Sequence, residues 1–178
     1  GKSMLASSWI EECDCQSVWL SLSEDDNHLR TFIIYIVAAI QKKFPEELVN
    51  TEALVNAPEL PSISLIAQTL INELDHIQED FIVVIDDYHL IHDEHIHQLI
   101  DELLRYPPEH LHLCLLTRRD PALRIRNLRI HNRMNEIRMD DLAFSEEEIF
   151  NLFKKIHGIE LKSITVDSLQ KTTEGWVT

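Results

Sequence analysis

What this sequence lacks narrows it before any motif is considered. No apolar run approaches the length of a membrane span. The longest, Phe32 to Ile40, is about nine residues and leads into Gln41-Lys42-Lys43. No secretory leader is visible, although a chain opening within a motif could not display one. Cysteine is sparse, and Cys13, Cys15 and Cys114 are odd in number and match no zinc spacing; reduced thiols of a cytoplasmic protein are expected. Aromatic residues are few. Positive charge is short as well: 16 Lys and Arg against 31 Asp and Glu leave a net charge of −15. A surface of that sign repels nucleic acid and anionic membrane, so any DNA-binding part of the parent protein lies elsewhere or is very local. There is no internal repeat, no low-complexity segment, no HExxH pattern and no support for a Ser–His–Asp triad.

What remains is 178 residues with an ordinary apolar share, enough for one compact domain and a small helical appendage. Apolar spacing alternates between two periods. Ser17–Leu22 reads as a short strand ending in Ser23-Glu24-Asp25-Asp26-Asn27, a helix-start cluster. Leu29, Phe32, Ile33, Ile36, Val37 and Ile40 then recur at helical spacing, and Pro45 follows. After a polar loop with Pro58 and Pro61, Ser62 is placed to cap a helix whose buried stripe is Leu65, Ile66, Thr69, Leu70 and Ile77. Phe81–Ile85, unbroken and β-branched, reads as a strand covered on both faces. Ile96, Leu99, Ile100, Leu103 and Leu104 form another helical face, stopped by Pro107-Pro108. Leu111–Leu116 reads as a further buried strand and Met134–Met139 as one more. Ser145 to Glu148 is a capping box for a helix carrying Ile149, Leu152, Phe153 and Ile156, with Gly158 as its stop. Strands alternating with helices imply βαβ units and a parallel sheet; from Leu161 onward only helix is expected.

Three stretches could carry chemistry. Gly1-Lys2-Ser3 before an apolar helical run is how a phosphate-binding loop finishes. Backbone amides and the helix N-terminus cradle phosphate, the lysine neutralises the outer phosphates, and the serine hydroxyl ligates Mg²⁺. The loop's other glycine belongs five positions before Gly1, and the tripeptide alone is equally a chance N-terminus. FIVVIDDYHLI is stronger. It sets Asp86 and Asp87 at the C-terminal edge of a buried strand, where ligands bind in open α/β sheets. One acid there can hold a metal and the next polarise water; the competing account is an Asp-rich turn or helix cap. LHLCLLTRRDP then puts Thr117 and Arg118 at another strand end, where they could sense a γ-phosphate; otherwise they are surface loop.

Two further features have plainer readings. Seven of the nine arginines fall between Arg118 and Arg138, which suits a phosphate-bearing ligand or acidic partner but more commonly pairs with the protein's own carboxylates. His89, His92, His95 and His97 crowd one segment, and solvent-facing helix residues are the preferred reading over zinc ligands. Trp9, Trp19 and Trp176 read as packing residues.

Taken together, GKSMLASSW, VWLSLSEDDN, FIVVIDDYHLI, LLTRRDPAL, EIRMDDLAFSEEE and TEGW (Thr173–Trp176) occur in an order that resembles the NTPase domain of MalT-like, LuxR-type transcriptional regulators, a branch of the STAND P-loop ATPases. The resemblance runs over nearly the whole chain. It implies a three-layer α/β/α P-loop fold with a mostly parallel sheet whose first strand is missing here. Residues 1–139 would be the NTPase core and 140–178, from Asp140, the start of a helical and winged-helix arm. It further implies that Gly1 and Lys2 bind ATP with Thr117, that Ser3 and Asp86 hold Mg²⁺, and that Asp87 and Arg118 act in a slow ATPase of the parent. Family members bind ATP and an inducer, self-associate, and contact DNA through a C-terminal domain absent from this chain, with no membrane role.

The chain departs from that pattern in lacking the first part of the loop and the strand before it, which would lie between Leu111–Leu116 and Met134–Met139. Alone, it is expected to bind nucleotide poorly or not at all. A different class remains open: a non-catalytic acidic interaction module with a degenerate site, favoured if Met134–Met139 pairs directly with Leu111–Leu116. A metal-dependent hydrolase built on the histidines is a third.

Overall fold

Three short runs rich in Val, Ile and Leu form one sheet: β1 (Gln16–Ser21), β2 (Phe81–Asp86) and β3 (Leu111–Leu115), all parallel and ordered β1-β2-β3. The register sets Ser21 opposite Asp86 and Ile85 opposite Leu115, so the three strands end at one level. Every residue of β2 is buried, as its unbroken β-branched composition requires of the central strand. Each fully buried side chain of this size contributes about 1.5–3 kcal/mol. The computed structural model describes residues 1–157 and Thr165, which divide into two compact units, Gly1–Arg124 and Ile125 onward.

In the first unit, α1 (Lys2–Glu12) precedes β1. The first crossover holds α2 (Leu29–Gln41), α3 (Val49–Asn56) and α4 (Ile63–Leu74), and the second holds α5 (Glu94–Arg105). Both crossovers step the same way along the sheet, and right-handed connection brings both sets of helices to one face. There Ile40, Leu70, Leu99 and Leu103 meet Val83 and Ile85 around an apolar cavity of about 20 Å³, a packing defect with no polar lining. Helices lie on both sides of the sheet, so the expected α/β/α architecture on a parallel sheet is present. Among the described residues no helix is long and apolar enough to cross a membrane.

Local signals explain most elements. The α2 stripe Leu29, Phe32, Ile33, Ile36, Val37 and Ile40 is buried as its spacing predicts. Ser62 caps α4, its Oγ accepting from the Leu65 amide. The Ser23 cluster also forms a capping box, with Asp26 accepting from the Ser23 amide and hydroxyl at 2.6 and 2.8 Å. It starts a 3₁₀ turn over Glu24–Asp26, however, and α2 begins only after His28.

Several expectations need correction. Val49–Asn56 is a helix where a polar loop was expected. Its ends are held from outside: Glu73 of α4 accepts from the Asn50 and Thr51 amides, and Arg30 of α2 donates to the carbonyls of Val55 and Ala57. Leu65 is exposed, and Ile77, though buried, lies beyond the end of α4. β3 is the edge strand of the described sheet and only partly buried, because its far side has no strand neighbour there. Trp9 is exposed; α1 buries only Ala6.

In the second unit, α6 (Arg126–Ile130) and α7 (Met139–Leu142) are short, and α8 (Glu146–His157) follows. Met134–Met139 is not a strand. Glu136 lies between the guanidiniums of Arg129 and Arg138, fixing this segment by ion pairs, while Ile137 faces solvent. These arginines hold Glu136 down to about 2, their hydrogen bonds being the main cause. The capping box of α8 is present: Glu148 Oε2 accepts from the Ser145 amide and hydroxyl, both at 2.8 Å, and the Glu148 amide returns a bond to Ser145 Oγ. Gly158, the expected helix stop, and Thr173–Trp176 lie outside the described residues.

Candidate functional site

Asp86 is the last paired residue of β2, and its position follows from the apolar run that carries it to the strand end. It is 9% exposed. Its carbonyl accepts from the Leu22 amide at 3.1 Å, tying it to β1, while the Leu116 amide donates to Ile85 at 2.9 Å on the β3 side. Its Oδ1 accepts the Asp87 amide at 2.9 Å. Among the described residues the other carboxylate oxygen takes no hydrogen bond. Cys114 on β3 feels this group: burial raises the thiol's pKa first, and the Asp86 charge adds to it.

The chain then turns sharply. Asp87 sits in the left-handed region, at φ 56°, ψ 33°. Asp tolerates that region better than most residues, yet a non-glycine there is held by its surroundings. The Tyr88 amide donates to Leu116 O at 3.0 Å, joining the turn to the end of β3. Tyr88 is 1% exposed, and its phenol meets His97 Nδ1 of α5 at 2.8 Å. Burial raises the pKa of the Tyr88 hydroxyl, with Asp101 adding to it. Burial likewise lowers His97, outweighing the opposing pull of Asp101. The Asp87 carboxylate is half exposed at the sheet edge, 3.8 Å from His89 Nδ1, a buried ring nitrogen without a hydrogen-bond partner among the described residues.

Thr117 and its neighbours close the other side. Thr117 Oγ1 donates to Arg119 O at 2.7 Å, and Arg119 Nη2 donates to His89 O at 3.0 Å. The loop after β3 is thereby fastened to the loop after β2. From the β1 side, Asn27 Oδ1 accepts the amides of His92 and Asp93, each at 2.9 Å. Three loops after three parallel strands therefore interlock at one edge.

The structure thus gathers Asp86, Asp87 and Thr117. Arg118 is adjacent in the chain, exposed, and without a hydrogen bond or ion pair among the described residues. Gly1, Lys2 and Ser3 stand apart from this network. Gly1 is the N-cap of α1, open to solvent, and neither Lys2 nor Ser3 forms a hydrogen bond or ion pair to Asp86 or Asp87. The donor types still suit the group the sequence implies: an unshared carboxylate oxygen and a hydroxyl are hard ligands fit for Mg²⁺, and an amine at a helix N-terminus suits phosphate.

Sequence reasoning gives Tyr88 and Arg119 no role of their own and reads His89 and His97 as solvent-facing helix residues, whereas both are only partly exposed and His97 bonds Tyr88. Asn27 was grouped with a helix start, although an Asn after a cap can serve a distant loop. His95 has a separate partner: Asp93 Oδ1 meets its Nδ1 at 3.0 Å and also caps α5. Among the described residues no three His, Cys, Asp or Glu groups gather to hold a metal. Much of the arginine cluster is paired within the protein, Arg124 with Asp101 and Arg129 and Arg138 with Glu136.

Comparison with known proteins agrees with the resemblance over the full chain. It is 34% identical over 178 residues to the HTH-type transcriptional regulator MalT of Yersinia pestis strain Pestoides F. It matches at the same identity and length the proteins of that name from Yersinia pseudotuberculosis strain YPIII and Yersinia enterocolitica strain 8081. All of this chain is covered in each case, and 20% of each relative. The chain therefore spans a fifth of the length of the curated relatives it matches. No family model matches it.

Proposed function

Because this chain is similar along its whole length to MalT-type regulators, we propose that it is the ATP-binding switch segment of a transcriptional regulator. The observation that carries this reading is the edge at which Asp86, Asp87 and the Thr117 loop meet, formed by a fully buried central strand. Asp86, with one carboxylate oxygen free of hydrogen bonds among the described residues, holds Mg²⁺ together with Ser3. Lys2 and the first turn of α1 bind the phosphates. Asp87, turned outward and half exposed, accepts a proton from water, and Arg118 stabilises charge on the outer phosphate. Bound Mg²⁺ supplies neutralisation of the phosphate charge.

For such a site to act as a switch, ATP must bind one arrangement of the protein more tightly than another, since equal affinity shifts no equilibrium. Self-association, inducer binding and DNA contact follow in this reading from parts of the protein outside this chain. The pairing that would favour an interaction module, Met134–Met139 directly against β3, is not found among the described residues.

The test is titration of the full-length protein with ATP, with and without Mg²⁺. Lys2→Ala is expected to abolish binding and Asp86→Ala to remove most of the Mg²⁺ dependence. Equal affinity of wild type and Lys2→Ala sinks the proposal.

A further inference from the structure

Tyr88 and His97 have no part in the reading above, yet they lie directly behind its most strained residue. Asp87 holds φ 56° without being a glycine, so something must keep it there. Its own contacts are few: its amide donates to Asp86 Oδ1, its carbonyl accepts the Leu90 amide at 2.9 Å, and its carboxylate approaches His89 Nδ1 at 3.8 Å. Tyr88, the next residue, is the anchor. Its amide reaches Leu116 just past β3, its ring is buried, and its hydroxyl reaches His97 Nδ1 at 2.8 Å. The rings also meet edge-on, with centroids 5.6 Å apart.

We infer that the Tyr88–His97 hydrogen bond is a positioning pair that locks the left-handed turn at Asp87 and so aims its carboxylate along the sheet edge. The inference rests on the nucleotide-site reading for its consequence but not for its geometry. The phenol O–H donates to Nδ1, and the imidazole carries its proton on Nε2. Burial favours that neutral form. His97 belongs to α5, whose Ile96, Leu99 and Ile100 are fixed in the core, so the turn is referenced to a rigid element and not to another loop. A tyrosine used only to fill the core would need its ring; the hydroxyl would matter little to the turn.

Two measurements on the full-length protein separate these roles. Hydrogen exchange of Asp87–Ile91, without nucleotide, reads the turn itself. Tyr88→Phe keeps the ring and removes the hydroxyl, and exchange is expected to accelerate about fivefold, the worth of one net hydrogen bond. His97→Leu is expected to match it, and His97→Asn, whose Oδ1 replaces Nδ1, to restore protection. ATP hydrolysis at saturating MgATP reads the aim: Tyr88→Phe lowers kcat by a similar factor, while MgATP affinity stays within about twofold. Unchanged exchange in Tyr88→Phe overturns the positioning pair. So does an unchanged kcat in a wild type that hydrolyses ATP. If wild type hydrolyses no ATP, the role given to Asp87 in the nucleotide reading fails, and the exchange result alone decides the pair.

Discussion

The Glu73 carboxylate accepts the Thr51 hydroxyl at 2.6 Å and the Thr51 amide at 2.9 Å, reaching across 22 residues of sequence from one helix to the start of another. Its other oxygen takes the Asn50 amide and side chain at 2.8 and 2.9 Å. A buried acid thus does for α3 what a local N-cap does elsewhere, and its charge suits the helix N-terminus. Replacing it with Gln keeps the volume but turns an amide NH₂ toward donors. Glu73→Gln is expected to cost about 1–3 kcal/mol, the price of buried donors left without an acceptor. A urea melt measures this; a midpoint shift near zero would show that α3 does not depend on the contact.

The same carboxylate makes stability acid-sensitive. Burial alone raises its pKa, but the bonds from Thr51 and Asn50 outweigh burial and hold it below the usual glutamate range. A group with a lowered folded pKa stabilises fully above its unfolded value, about 4.3, and loses that contribution as pH falls through the folded one. The stability gap between wild type and Glu73→Gln is therefore expected to narrow as pH is lowered from 7 toward 3. A gap that stays constant over that range contradicts this assignment.

Arg30 closes the other end of α3, donating to the carbonyls of Val55, Ala57 and, at 3.4 Å, Pro58. A cation at a helix C-terminus also complements the dipole. Arg30→Met keeps the aliphatic stem and is expected to destabilise by about 1–2 kcal/mol. Because one helix is held from both ends, Arg30→Met and Glu73→Gln together should cost less than their sum: once either end is loose, the other clamp has less to hold. A double-mutant cycle reads this as a coupling of about 0.5 kcal/mol or more. Strict additivity would mean that the two ends of α3 fold independently.

Asp87→Asn separates stability from chemistry. Asn accepts the left-handed conformation at least as readily as Asp, so thermal stability should change by no more than about 0.5 kcal/mol. The amide cannot take a proton from water. ATP binding by the full-length protein should persist while its hydrolysis falls about 100-fold or more. Retained hydrolysis in a well-folded Asp87→Asn protein would remove Asp87 from the reaction.

Elements whose reason is local were legible in the sequence: β2 from its unbroken apolar run, α2 and α5 from their spacing, and α8 from Ser145 and Glu148. The same local signals brought Asp86 and Asp87 to attention. What escaped was set by partners distant in sequence. Nothing within Val49–Asn56 announces a helix, because its caps come from Arg30 and Glu73. Tyr88 gave no sign of its tie to His97, nor Asn27 of its hold on the loop before α5. Met134–Met139 has strand-like composition, but its backbone follows the ion pairs around Glu136. The parallel register that sets Ser21 opposite Asp86 and Ile85 opposite Leu115 also had no signature in any single segment.

β3 presents one row of backbone amides and carbonyls with no ladder partner among the described residues, flanked by half-buried leucines. An open strand edge is a template for another strand, so colloidal behaviour depends on how strongly copies avoid one another. Here avoidance comes from a net charge of −15. Salt that screens this charge, or acid that neutralises its carboxylates, removes the repulsion while leaving the edge intact. The conditions in which this chain stays dispersed are thereby coupled to the electrostatics of its whole surface, through a strand of five residues.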